Sequence, residues 1–331
     1  MKYRMPLLAA VAFMLGMSVA SAGPRDAQWN KVDEALGKGL PKTAIEVLEP
    51  IVQQALQEKA YGEAARALCR RIVLEGNIQG NKPEEKITRI EAEIAKAPKE
   101  IVPLLEAIQA NWYWHYFANN RWRFMQRTAT AQAPGKDFTT WDLTRLFSEI
   151  DKKYQSALSA SDFLKTAPIA SYDDLLEKGN MPDAYRPTLY DFVAQEALLF
   201  YTSGEQAAAK PQDAFELSAD DPIFDDPRKF LAWKPVTADS DSPALKAIRL
   251  YQDLMRFHVD DRDQAAFRDV DLARLVYGKN VAFGEEKNSR FKKIVAVSAE
   301  EWSGHEICAM ALYQLALMLQ EEGSLTDARE T

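Results

Sequence analysis

Apolar residues recur every three or four positions in one short segment after another along this chain, and glycine, asparagine or proline closes most of the segments. A helix with one apolar stripe must bury it against another helix, so the pattern predicts an all-α chain of helical hairpins. After a short start around Gln28-Trp29, Leu40-Pro41-Lys42-Thr43 opens a helix carrying Ala44, Val47, Leu48, Ile51, Val52, Ala55 and Leu56. A second, over about 61–75, carries Ala64, Ala65, Leu68, Ile72 and Val73 and stops at Gly76-Asn77. Further helices are predicted over about 83–96, 101–116, 188–201, 243–257, 263–277 and 306–322. Another opens at Thr139-Thr140-Trp141-Asp142, where Thr139 and Asp142 have the spacing of a capping box. In the last helix, Ala309, Leu312, Tyr313, Ala316 and Leu317 alternate small and large residues before Gly323, and a new helix starts at Leu325, as in a tetratricopeptide hairpin. Such a pair leaves an apolar face for a following repeat, and only a few residues follow, so the chain reads as a fragment of a longer one.

The first residues, Met1-Lys2-Tyr3-Arg4, precede an apolar run from Met5 to Val19 and then Ala20-Ser21-Ala22. A basic start, an apolar run too short to span a bilayer comfortably and small residues at a cleavage point make a signal peptide, removed between Ala22 and Gly23. Export to the periplasm, the cell envelope or the medium follows, with no membrane span after cleavage. The segments then group as a signal peptide at 1–22, a helical domain at 23–160, irregular proline-rich connectors with one helix at 161–242, and a tetratricopeptide-like segment at 243–331 with an incomplete last repeat.

Charge narrows the function classes. The whole chain carries a formal −8, and losing Lys2 and Arg4 with the signal peptide makes it two charges more acidic. The densest basic runs, such as Arg70-Arg71 and Lys292-Lys293, are only pairs, which argues against nucleic acid as a partner. Asp220-Asp221-Pro222 and Asp225-Asp226-Pro227 are near-repeats rich in hard oxygen ligands, but proline follows each pair and no glycine turn intervenes, so a solvated loop is favoured over a calcium site. Among three histidines, His115 sits in an aromatic run, His258 ends a helix where the dipole favours it, and His305 lies three residues before Cys308. That pair would share a helix face, yet an apolar helix raises a thiol's pKa. Cys69 and Cys308 both lie among apolar neighbours, as buried small residues do, and a disulfide between them stays open. With no zinc-type histidine pair, nucleophile elbow or phosphate loop, the expectation is a non-catalytic protein with no cofactor and no metal.

The most distinctive string is Asn111-Trp112-Tyr113-Trp114-His115-Tyr116-Phe117-Ala118-Asn119-Asn120-Arg121-Trp122-Arg123-Phe124, followed by Arg127-Thr128 and Thr139-Thr140-Trp141-Asp142-Leu143. Its candidate residues are Trp112, Trp114, Asn120, Arg121, Trp122, Arg123 and Trp141. Arginines among rings can stack as cation–π pairs and fix a helix-to-loop corner; exposed, the same residues would be a platform for a partner or carbohydrate. The apolar spacing continues into the helix, which favours the corner.

This string, with Gly39-Leu40-Pro41-Lys42-Thr43-Ala44 before it, resembles the N-terminal region of the large bacterial alpha-2-macroglobulin-like proteins. The likeness carries specific residues from Trp29 to Leu158 and continues more loosely through the repeat-like ending. It implies a helical scaffold or interaction region of a long exported protein whose full-length form acts as a protease-trapping inhibitor. The implied partners are that protein's own downstream macroglobulin domains or other envelope proteins. The family's Cys-Gly-Glu-Gln thioester motif and its strand-rich domains are missing from these residues, so trapping itself is not carried over to them. The alternative is a free-standing periplasmic peptide- or carbohydrate-binding helical-repeat protein.

Overall fold

The computed structural model describes residues 24–80, 82, 84–126, 135, 137–177, 179–209 and 214–331, with backbone alone at 207–209. The signal peptide expected at 1–22 and Arg127-Thr128 of the aromatic string lie outside the described residues. Among the described residues the chain is all-helical, with fifteen α-helices, short 3-10 turns, two isolated β-bridges and no strand. Two compact units are present. One runs to Met181 and takes in Thr188–Glu196; the other comprises Pro182–Pro187 and Ala197–Thr331. These limits differ from the boundaries expected at 160 and 242.

The first unit contains α1 (Asp26–Gly37), α2 (Pro41–Gln57), α3 (Tyr61–Ile78), α4 (Glu85–Ile94), α5 (Val102–Asn119), α6 (Arg121–Met125), α7 (Leu143–Ser159), α8 (Ser161–Thr166) and the start of α9 (Leu189–Tyr201). Each of the first five helices packs on the next, and α5 packs on α7. Pro41 opens α2 where its missing N–H leaves no bond unmade, and Lys59 turns the chain into α3 with φ of 60°. α5 is apolar on every side and buries twelve of its eighteen residues, as a helix without a polar face must. The short start around Gln28-Trp29 is a full helix, α1, which buries Trp29, Val32 and Ala35 at three-residue spacing.

The capping box expected at Thr139 is not how α7 begins. Asp137 accepts from the Thr139 N–H at 3.0 Å and holds a single 3-10 turn over Phe138–Thr140. Asp142 is the N-cap of α7, accepting from the Arg145 N–H at 2.8 Å. A carboxylate accepts that bond with the helix dipole in its favour, which a threonine hydroxyl lacks.

The second unit contains the end of α9, then α10 (Pro227–Ala232), α11 (Pro243–His258), α12 (Ala265–Val281), α13 (Lys287–Glu301), α14 (Cys308–Glu321) and α15 (Leu325–Glu330). α11 packs on α12, α12 on α13, α13 on α14 and α14 on α15. α13 is absent from the sequence reading because only Phe291, Val295, Ser298 and Ala299 are buried in a helix otherwise rich in charge.

The stretch expected as irregular connector is built differently. It holds α8 and α10 besides α9, and the supposed solvated loop buries Ile223, Phe224 and Phe230. Each Asp-Pro pair starts a helical turn: Asp221 precedes Pro222, and Asp226 caps α10 by accepting from the N–H groups of Arg228 and Lys229 at 3.1 and 3.3 Å. Asp225 pairs with Arg290 at 2.8 Å. The fully buried Arg274 binds Asp271 at 2.8 Å, donates to the carbonyls of Ile223 and Asp225, and lies 4.7 Å from the Phe230 ring, tying this segment to α12.

Candidate functional site

The aromatic string forms the end of α5, a corner and α6. Asn120 turns that corner: its backbone N–H reaches the carbonyls of Tyr116 and Phe117 at 3.1 and 2.9 Å, and its side-chain Nδ2 donates to the Tyr116 carbonyl at 2.9 Å. These bonds occupy carbonyls that the end of a helix leaves without partners. Phe124 then folds back on Tyr116 and Phe117, with ring centroids 6.1 and 5.8 Å away, and is buried. Phe138 adds an edge to Tyr113 at 5.2 Å and to Tyr116 at 5.1 Å, the T-shaped geometry that aromatic quadrupoles prefer.

The seven candidate residues separate by depth. Trp112 and Trp141 are core. Lys86 of α4 lies 5.1 Å from the Trp112 ring. Trp141 stacks on Tyr113 at 6.1 Å, donates its indole N–H to the Gly135 carbonyl at 2.7 Å, and carries Arg145 4.9 Å from its ring. Trp114 is half-buried against Phe117 and Phe147. Arg123 turns to the Tyr116 hydroxyl at 3.4 Å, and Arg121 is exposed. Trp122 is 65% exposed, and Met125, three residues on, is 50% exposed. The cations over the Trp112 and Trp141 rings thus come from α4 and α7 rather than from the string itself.

Burial dominates the electrostatics of this core. It lowers the pKa of His115, with Lys86 adding to the effect, and it lowers that of Lys86. Asn111 donates to Glu196 at 2.8 Å and Gln109 to the Ile87 carbonyl at 3.2 Å, so polar groups on an otherwise apolar helix are engaged with neighbours. No family model, curated protein or solved structure matches the chain.

The remaining candidates also have definite places. Both cysteines are free. Cys69 is buried, and burial pushes its thiol up to about 12. Cys308 is only half-buried, unlike the expectation for it, and donates to the Ala299 carbonyl at 3.2 Å. The His305 carbonyl accepts from the Cys308 N–H at 3.0 Å, while its ring has other partners: Nδ1 accepts from the Ile307 N–H at 3.2 Å and Nε2 lies 3.6 Å from Asp263. His258, buried at the end of α11, bonds Asp261 at 2.6 Å. Among the described residues no three histidine, cysteine or acidic side chains converge as metal ligands. A groove of about 470 Å³ in the first unit is lined by residues of α2, α3, the connection between α4 and α5, and the start of α5, including Leu56, Leu68, Arg71, Ile101 and Leu105, with no tryptophan.

The string marks the tryptophans in the sequence but not Phe138, Lys86, Arg145 or Glu196. Phe138, an isolated ring beside a polar stretch, was a usable signal. Lys86 and Glu196 lie on distant segments, and their partnership with the string comes from packing alone, whereas Arg145 follows Trp141 by only four residues and reaches its ring locally.

Proposed function

We propose that this chain is a non-catalytic helical scaffold, the interaction region of an exported protein of the alpha-2-macroglobulin-like kind whose full-length form inhibits proteases by trapping them. The resemblance over Trp29–Leu158 supplies the family part of this reading. The scaffold part rests mainly on α14, a helix apolar enough for a core that buries only Ala311, Met318 and Leu319 and leaves Tyr313 47% exposed. Leu325 of α15 is 66% exposed beside it. A repeat array holds such faces for a neighbouring helix, and a partner protein or further domain meets that need. Among the described residues no helix is long and apolar enough to cross a membrane.

Fractionating the producing cells and sequencing the protein's N-terminus tests the export on which this reading depends. The expected result is a chain beginning at Gly23 in the periplasmic or envelope fraction; a cytosolic chain that retains residues 1–22 overturns it. The groove beside Arg71 favours a second reading, a free-standing periplasmic peptide binder, over a carbohydrate binder, whose stacking platform would need tryptophans along a groove.

A further inference from the structure

No aspartate or glutamate occurs between Glu106 and Asp137, in a chain that carries 49 of them in 331 residues. The same stretch holds four basic residues, so it is locally cationic in a chain of formal charge −8. Its inner part is the core of α5, while α6 presents the outer part. Phe124 is the anchor, buried against Tyr116 and Phe117, and Trp122 and Met125 share the opposite face at three-residue spacing. Of the seven tryptophans, all of them described, Trp122 alone is exposed. Arg121 flanks it in the open, and Arg123 is held beside it by the Tyr116 hydroxyl.

An indole and a thioether held outward between guanidiniums match the layering of a bilayer surface. Tryptophan settles at headgroup depth, a neighbouring apolar side chain reaches the acyl boundary, and arginine meets phosphate with paired hydrogen bonds. A protein partner of acidic surface would satisfy the arginines equally, but it would have to supply a pocket for a protruding indole. A fluid interface needs none. We propose that the tip Arg121–Met125 docks the first unit peripherally on an anionic phospholipid surface. This rests on the reading of the chain as exported to the cell envelope, and the cell fractionation tests that reading separately.

The test uses the chain from Gly23 onward, which contains every described residue, with vesicles of equal parts phosphatidylglycerol and phosphatidylcholine and with phosphatidylcholine vesicles as the neutral comparison. Two guanidiniums and one indole give weak, reversible attachment, so co-sedimentation is expected with the anionic vesicles in about 50 mM salt and not in about 500 mM, where charge is screened within a few ångströms. Trp122→Ser and Arg121→Glu each lower the bound fraction about fivefold or more with the helical circular dichroism unchanged, since both side chains are exposed. Equal binding to neutral vesicles, no binding to either, or unchanged binding by the two variants overturns the proposal. So does binding to soluble polyglutamate in place of vesicles, which would assign the tip to an acidic protein surface.

Discussion

Glu63 on α3 holds the start of the chain in place. It accepts from Trp29 Nε1 at 2.8 Å and from Arg25, whose other nitrogen reaches Glu58 at 2.7 Å, and Arg66 lies 4.1 Å from the Trp29 ring. Burial by itself raises the Glu63 pKa, but the bonds from Arg25 and Trp29 outweigh it and leave the carboxyl below its ordinary range. A depressed folded pKa means that the stabilisation is complete above the unfolded value of about 4.3 and is lost as pH falls through the folded value. Glu63→Gln should therefore cost about 1–3 kcal/mol at pH 7 and much less at pH 3, measured from denaturant midpoints; an equal cost at both pH values would contradict the role of its charge. The thiols give a second expectation. At pH 8 an alkylating reagent labels half-buried Cys308 in the native protein and reaches Cys69, with its raised pKa, only after unfolding. Labelling of Cys69 first would show that its burial is wrongly described. At this scale the sequence is a poor guide to the caps: Asp226 before Pro227 reads as a solvated loop yet caps a helix, and the box expected at Thr139 gives way to Asp142. It is silent on Arg25 and Glu63, whose partnership spans a helical hairpin.

At the scale of elements, two helices meet their neighbours through glycine. A Cβ on Gly62 of α3 would stand 2.8 Å from the Ser171 carbonyl oxygen, and one on Gly278 of α12 would stand 2.8 Å from Ile223 and 2.9 Å from Phe224. Inside an ordinary helix, glycine to alanine stabilises by about 0.5–1 kcal/mol; here contact reverses the sign. Gly62→Ala and Gly278→Ala are expected to destabilise by about 1–3 kcal/mol each in thermal or denaturant unfolding, and a stabilising result would place those segments elsewhere. The same contact explains the misread connector. Proline and aspartate density over 203–242 points to a solvated loop, and the segment is instead drawn inward by Arg274, a residue some fifty positions on. Arg274→Met leaves Asp271 buried without its cation, at an expected cost of about 3–5 kcal/mol. Adding Asp271→Leu should recover part of that loss in the same unfolding measurement; a double variant no more stable than the single one would mean the carboxylate is not what suffers. The helices with continuous apolar stripes, α2, α3, α5 and α11, are plain in the sequence, whereas α13 is not, because its four buried side chains are sparse among lysines and glutamates.

For the whole molecule, periodicity establishes the all-helical class but says little of the units. Their boundary falls inside α9, where an unbroken apolar helix gives no composition change to mark it, and Pro182–Pro187 joins the second unit through Tyr185, which donates to Glu306 at 2.9 Å. The aromatic string was visible as a string; the depth of each ring was not, since Trp112 and Trp122 differ only in which side of a corner they occupy. The proposed function makes this chain the helical region of a longer exported protein. Immunoblotting the native product in fractionated cells with an antibody raised against this chain tests it most directly. The expected result is an envelope or periplasmic band far heavier than the 37.3 kDa of these residues; a sole product at or below that mass overturns the proposal.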